Sequence, residues 1–336
     1  MNIIAQIDVK VNTENELRDI TRAPGADRIQ NKWTEKKKNA KVMADKLQRL
    51  GRRYTGRAAR MRYCAEYIRL QVCEDCGTSH VEYAGLCRDR FCPVCMWRLS
   101  MRRFASMYQI IEGLRVAYPE APWQFVTLTA ANCKPEELPQ VLDEMYRAWN
   151  AITSSKKFKN KVAGWARSLE ITFNAEENTI HPHFHILTMW HECTEEPDDY
   201  IIDRWLKGVH RYASRKAQDA QTIGWKVDQN LNDDKIVGAV IETYKYSIKD
   251  SELEDMPLGT FRAVVEAMGG RRLVAFGGAV KEYAKLCELD KMDEAGDDDT
   301  EEMETKIRKC VHCGSAQIAN IIAAWAGNGY LWRREQ

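Results

Sequence analysis

Apolar residues recur at helical spacing through Trp97–Val116 (WRLSMRRFASMYQIIEGLRV), which predicts a helix there. Upstream, residues 35–63 are rich in Lys, Arg and Ala with few breakers before Gly51 and read as basic helix, while residues 1–30 have weak periodicity and read as a loose arm. Downstream the period changes to that of strands. Phe125-Val-Thr-Leu-Thr129 is apolar and β-branched. In Arg167–Phe173 the apolar Leu169, Ile171 and Phe173 alternate with Ser168, Glu170 and Thr172, and a third strand-like run covers His183–Trp190. The turn-like Asn174–Asn178 lies between the last two runs, so they are expected to pair as an antiparallel hairpin. Pro135-Glu136-Glu137 opens a predicted helix over 134–153. Further helices are expected at 198–217 and 237–249, with a strand at Gly224–Asp228. The order β-α-β-β-α-β-α predicts an α+β fold: an antiparallel sheet with helices on one face.

Composition adds little until it is read locally. The chain has 336 residues, 44% of them hydrophobic, and a net charge of +1, an ordinary globular composition. No apolar run approaches the roughly 18 residues that span a bilayer, and the first residues lack the pattern of a signal peptide. These features predict a cytoplasmic protein without membrane contact. The charge is nonetheless segregated. Residues 32–62 hold twelve Lys/Arg against Glu35 and Asp45, while residues 288–304 hold ten acids against Lys291. The first run is expected to be a polyanion-contacting arm and the second an acidic linker.

Eleven cysteines in such a protein argue against a disulfide framework. Six form CxxC pairs: Cys73/Cys76, Cys92/Cys95 and Cys310/Cys313. Fifteen residues separate the first pair from the second, the spacing of a zinc ribbon, so Cys73, Cys76, Cys92 and Cys95 are expected to hold a structural zinc. The third pair would complete a second zinc site with Cys87 or His80, or bind nothing.

His181-Pro-His183-Phe-His185 collects three of the seven histidines. In a strand His183 and His185 face the same side, with Phe184 turned into the core. Two imidazoles need a harder third ligand to make an open metal site. Glu170, on the polar face of the preceding strand, is the candidate. His181 is in phase, but Pro182 interrupts the ladder. Finally, on a helix over 237–249, Glu242, Tyr246 and Lys249 share one face, with Tyr244 pointing elsewhere. A phenol is a competent nucleophile when activated, a carboxylate can serve as base and a lysine can hold phosphate.

These segments together resemble the rolling-circle plasmid replication initiators (Rep proteins) of the HUH endonuclease superfamily. Matching runs are Arg90–Cys95, Phe125–Thr129, Arg167–Thr172, His181–Leu187, Glu242–Asp250 and Arg271–Gly278, in the family's order over roughly 65–285. Composition and spacing divide the flanks into a basic, largely helical arm (1–63), a zinc-binding module (64–100) and an acidic linker with a C-terminal CxxC segment (286–336), and the basic run, the acidic run and the third CxxC have no match in the family. The resemblance implies an HUH nicking domain over 101–285. It implies Mg or Mn on His183 and His185, with Glu170 as third ligand from strand geometry, Tyr246 as nucleophile, Glu242 activating water at termination, and Lys249 as the lysine of the Tyr-x-x-Lys pattern. Nicking would leave a 5′-phosphotyrosine and a 3′-OH. Expected partners are single-stranded or hairpin origin DNA, a host replicative helicase and a second copy in a homodimer. Three other readings stand beside this one. A transposase or mobilisation relaxase of the same superfamily would share the chemistry. A histidine-triad nucleotide hydrolase is opposed by Pro182 and leaves the Tyr246 helix without a role. A non-catalytic zinc-ribbon DNA-binding protein would bind DNA but not cleave it.

Overall fold

The computed structural model describes residues 27–191, 199–209, 213–224, 238–241, 243, 248–287, 301–303 and 307–334. Its elements in chain order are α1 (Asp27–Gln48), α2 (Thr55–Tyr63), β1 (Tyr67–Cys73), β2 (Ser79–Gly85), α3 (Pro93–Ala117), β3 (Trp123–Thr129), α4 (Leu138–Ser154), α5 (Lys156–Lys161), β4 (Val162–Asn174), β5 (Thr179–Trp190), α6 (Tyr200–Gly208), β6 (Asp219–Gly224), α7 (Asp250–Asp255), α8 (Leu258–Met268), β7 (Val274–Gly277), α9 (Gly278–Leu286), β8 (Glu301–Met303), β9 (Ile318–Trp325) and β10 (Tyr330–Arg334). The fold is α+β with two antiparallel sheets, one in each of two compact units: among the described residues, 27–105 with those from 301 onward, and those from 106 to 287. Among the described residues no helix is long and apolar enough to cross a membrane.

The second unit is built on the sheet β6-β3-β5-β4-β7. Its centre is the expected hairpin: β4 and β5 pair antiparallel from Val162↔Trp190 to Asn174↔Thr179. The Asn174 side chain accepts the backbone N–H groups of Glu176 and Glu177, and Asn178 takes a positive φ of 49°. Both are Asn habits that close a tight turn. Phe184 is fully buried and meets Tyr146 of α4 and Trp205 of α6 edge-on at 5.3 and 5.7 Å. The α4 stripe Leu138, Val141, Leu142, Met145 and Trp149 is buried, as helical periodicity requires. The Gly277–Gly278 pair that carried part of the resemblance has a packing reason. A Cβ on Gly277 would sit 2.3 Å from the Trp165 indole nitrogen, and Gly278 combines φ +57° with a Cβ position 2.2 Å from the Ala163 carbonyl oxygen. Only glycine lets the chain turn from β7 into α9 this close to β4.

In the first unit the sheet order is β10-β9-β1-β2-β8. Sequence periodicity had marked 64–98 only as a cysteine-bearing segment. In the structure β1 pairs with β9 over its whole length, Tyr67↔Ala324 to Cys73↔Ile318, so the C-terminal CxxC segment shares a sheet with the first one. Part of the acidic run also serves structure, since Glu301–Met303 forms β8 on β2. The basic run divides in two. Gly51, at φ 111°, separates α1 from the turn before α2. Lys38, Arg49, Arg52, Arg53 and Arg60 are exposed, but Lys36, Lys37 and Lys46 are buried.

Other element boundaries moved. Of the strand expected at Gly224–Asp228 only Gly224 is described, and it ends β6, Asp219–Gly224, which pairs with β3; 225–228 lie outside the described residues. The helix expected over 198–217 is α6, Tyr200–Gly208. Of the helix expected over 237–249, residues 238–241 and 243 are helical, and Lys249 is not: at φ −70°, ψ 144° it is extended and caps α7.

Candidate metal centre and cysteine groups

The pairing register of β4 and β5 puts Glu170 directly opposite His183, and Ser168 opposite His185. Because strand side chains alternate faces, Glu170, His183 and His185 share the face away from Phe184. Glu170 Oε2 lies 2.8 Å from His183 Nε2 and 2.7 Å from His185 Nε2. All three side chains are buried, 3–7% exposed. One carboxylate oxygen and two imidazole nitrogens converge on a single point, which is a donor set suited to a divalent cation with open positions. His183 Nδ1 is buried and has no hydrogen-bond partner among the described residues. The His185 ring is held from two sides: it stacks on Phe125 at 5.5 Å and 13°, and its Nδ1 is 3.4 Å from Thr127 Oγ1. With the Nδ1 proton on Thr127, the Nε2 lone pair faces Glu170 and the shared point. Thr127 went unnoticed in the sequence, although the alternation of Phe125, Thr127 and Thr129 was available as a signal. His181 stays outside the group. Burial, then the nearby His183, lowers its pKa.

Glu242, Tyr244 and Tyr246 lie outside the described residues. Lys249 is exposed, 3.9 Å from Glu252 Oε1. Since its backbone is extended, the expected helical face shared by Glu242, Tyr246 and Lys249 does not reach Lys249. The chain just beyond Tyr246 is nevertheless tied to the hairpin, because Glu252 Oε2 accepts the Phe173 N–H at 3.0 Å, three residues along β4 from Glu170.

Eight of the eleven cysteines fall into two groups of four, and the division corrects the expected zinc set. Cys73 and Cys76 sit with Cys310 and Cys313; Cys92 and Cys95 sit with Cys64 and Cys87. The spacing of the first two CxxC pairs is therefore not the pairing. The reason is topological: β9 returns to β1 and brings the third pair to the first. His80 lies in β2 opposite Gln71 and belongs to neither group. Cys64 was missed because it stands alone at the end of α2, without a CxxC neighbour. In its group the thiols shift in opposite directions, as sulfurs sharing too few protons do. Hydrogen bonds from Cys64, Cys92 and Cys95 hold Cys87 well below the usual thiol value, while burial drives Cys92 and Cys95 well above it. Burial also works to raise Cys76, but bonds from Thr78 and from the Cys310 and Cys73 thiols bring it down to about 6.

The class so defined is an α+β protein with a Glu170–His183–His185 group on one sheet and two groups of four cysteines in the other unit, each a set of residues that could hold a metal ion. The comparison with known families names the family: residues 78–329 match the family model described as "Replication protein", and the chain belongs to this replication-protein (Rep) family. Similar chains include a "Protein rep" of Bacillus amyloliquefaciens, 32% identical over 79% of this chain and 84% of its own length. Another "Protein rep", from a Bacillus species, is 30% identical over 70% and 82%. A third, from Streptococcus pneumoniae serotype 2, is 29% identical over 81% and 85%. No solved structure matches the chain.

Proposed function

We propose that the protein is a rolling-circle plasmid replication initiator that nicks single-stranded origin DNA and stays joined to the 5′ end through Tyr246. The observation that carries this reading is the convergence of Glu170, His183 and His185 on one point. A Mg or Mn ion held there would supply Lewis-acid polarisation of the scissile phosphate. His183 and His185 bind through Nε2, Glu170 adds the hard oxygen, and Thr127 and Phe125 fix the His185 ring. The Tyr246 phenolate oxygen attacks phosphorus in line. An O–P bond to tyrosine forms, the P–O3′ bond breaks, and the departing oxygen takes a proton to become the 3′-OH that primes synthesis. In the closing step Glu242 removes a proton from water, which attacks the phosphotyrosine and frees the tyrosine. The Glu252–Phe173 bond supports this reading, since it ties α7 to the strand that bears Glu170. The target bases must be unpaired to enter, so the substrate is single-stranded or extruded from a hairpin. The exposed arginines at 49, 52, 53 and 60 supply phosphate contacts.

The test uses single-stranded oligonucleotides tiling the DNA that flanks the gene, with Mn²⁺. The wild type should give a protein–DNA adduct that survives denaturation. Tyr246→Phe should give none, while Tyr244→Phe retains it. An adduct that persists in Tyr246→Phe removes Tyr246 from the role.

A further inference from the structure

We propose that residues 27–105 with 301–334 bind two zinc ions, each by four thiolates: Cys64, Cys87, Cys92 and Cys95 in one site, and Cys73, Cys76, Cys310 and Cys313 in the other. Zinc–sulfur bonds of roughly 2.3 Å make a tetrahedron with edges of about 3.8 Å. The closest sulfur pairs are 3.5 Å (Cys64–Cys95), 3.6 Å (Cys87–Cys95), 3.6 Å (Cys73–Cys313) and 3.5 Å (Cys76–Cys310). Within each group every sulfur is within 4.8 Å of the others.

The backbone around the sulfurs is shaped for the same purpose. In the second site the two CxxC turns are copies of one another. Cys73 N–H donates to Thr78 O (2.8 Å) and Gly77 N–H to Cys73 O (2.9 Å); Cys310 N–H donates to Ser315 O (2.7 Å) and Gly314 N–H to Cys310 O (2.8 Å). Gly77 and Gly314 have φ of 72° and 73°. Two segments far apart in sequence thus fold into the same knuckle and meet sulfur to sulfur, as the halves of a zinc ribbon do. In the first site the sulfurs receive amide protons, from Cys87 N–H onto Cys64 Sγ at 3.4 Å and from Arg88 N–H onto Cys95 Sγ at 3.2 Å. Ala65 and Arg88, which follow Cys64 and Cys87, both have positive φ, 53° and 52°. Such backbone costs energy in a residue with a Cβ and persists where the surroundings demand it.

A zinc ion with four thiolates carries a net charge of −2, and burying it calls for a compensating cation. Lys37 answers this. It is fully buried, its Nζ donates to Cys64 O at 2.6 Å and to Arg62 O at 2.8 Å, and it lies 3.5 Å from Glu66. A lysine inside the basic run thus holds the backbone that carries Cys64, with its charge shared with Glu66.

The experiment measures zinc in the purified full-length chain by mass spectrometry and its ligands by X-ray absorption. A parallel His183→Ala/His185→Ala sample excludes zinc held at the sheet site. Two ions per chain in an all-sulfur shell are expected; one or none, or nitrogen in the shell, overturns the proposal. Paired substitutions test the division. Cys73→Ser with Cys313→Ser should keep one zinc, whereas Cys73→Ser with Cys92→Ser should lose both; retention of one ion in the latter overturns the assignment of ligands to sites. Should the variants fail to fold, the wild-type stoichiometry and shell still decide.

Discussion

The two ligand-bearing regions are assembled in opposite ways. Glu170 and His185 are fifteen positions apart on one hairpin, whereas Cys73 meets Cys313 across 240 positions. The hairpin gathers Glu170, His183 and His185 by local pairing, backed by Phe184, Tyr146 and Trp205. The cysteine groups close long loops, at an entropic cost that grows with loop length, and the proposed zinc ions would offset it. On the proposed metal assignments, one region would be a site placed on a finished fold, while in the other the site would be part of what finishes the fold.

The largest expected effect tests that difference directly. Removing zinc with a strong chelator should abolish hydrogen-exchange protection in β1 and β9 and leave it in β4 and β5. Structural zinc contributes on the order of 10–16 kcal/mol of binding free energy that is also folding free energy. Stripping Mg or Mn from the sheet site should leave both sets of strands protected. Protection in β1 and β9 that survives complete zinc loss would break the comparison.

A smaller but sharp effect is expected at the sheet. Glu170→Gln keeps the size of the side chain and removes the charge that pairs with the cation. Single-turnover nicking should fall about 100-fold or more, roughly 3 kcal/mol of barrier, with thermal unfolding and zinc content unchanged. Unchanged nicking would show that the carboxylate is not a ligand.

The same contrast explains what the sequence disclosed. The alternation of Leu169, Ile171 and Phe173, the short turn after Asn174 and the His183/His185 spacing together set strand phase and register, so the meeting of Glu170 with both histidines was legible. A one-residue slip would have moved every one of these side chains to the other face. The partition of the cysteines was not legible, because CxxC spacing reports only local knuckles and says nothing of which knuckles meet. That depends on β9 pairing with β1, and the weak pattern of Ile318–Trp325 did not announce a strand. Charge misled in a related way. Lys37 counted toward a basic arm, yet its position between Trp33 and Met43 on the buried face of α1 takes it inside. Lys249 read as helical because nothing near it breaks a helix, but its extended backbone caps α7 instead.

The smallest expected effect concerns how finely each region is tuned. Thr127 would act on the proposed cation only through His185, its Oγ1 lying 3.4 Å from Nδ1. Thr127→Val preserves shape and strand preference while deleting this acceptor. Outer partners of metal-bound histidines contribute about 10- to 100-fold in metal affinity, and the length of this bond places the effect near 10-fold. The Mn²⁺ concentration for half-maximal nicking should rise accordingly, with the rate at saturating Mn²⁺ retained. A merely structural Thr127 would instead lower thermal stability and leave the Mn²⁺ dependence in place. In the cysteine region the comparable bond runs from the Arg88 backbone N–H to Cys95 Sγ, so replacing the Arg88 side chain by Ala should leave zinc affinity unchanged. Those two outcomes together would show a sheet site adjustable by single side chains and cysteine sites set by backbone conformation.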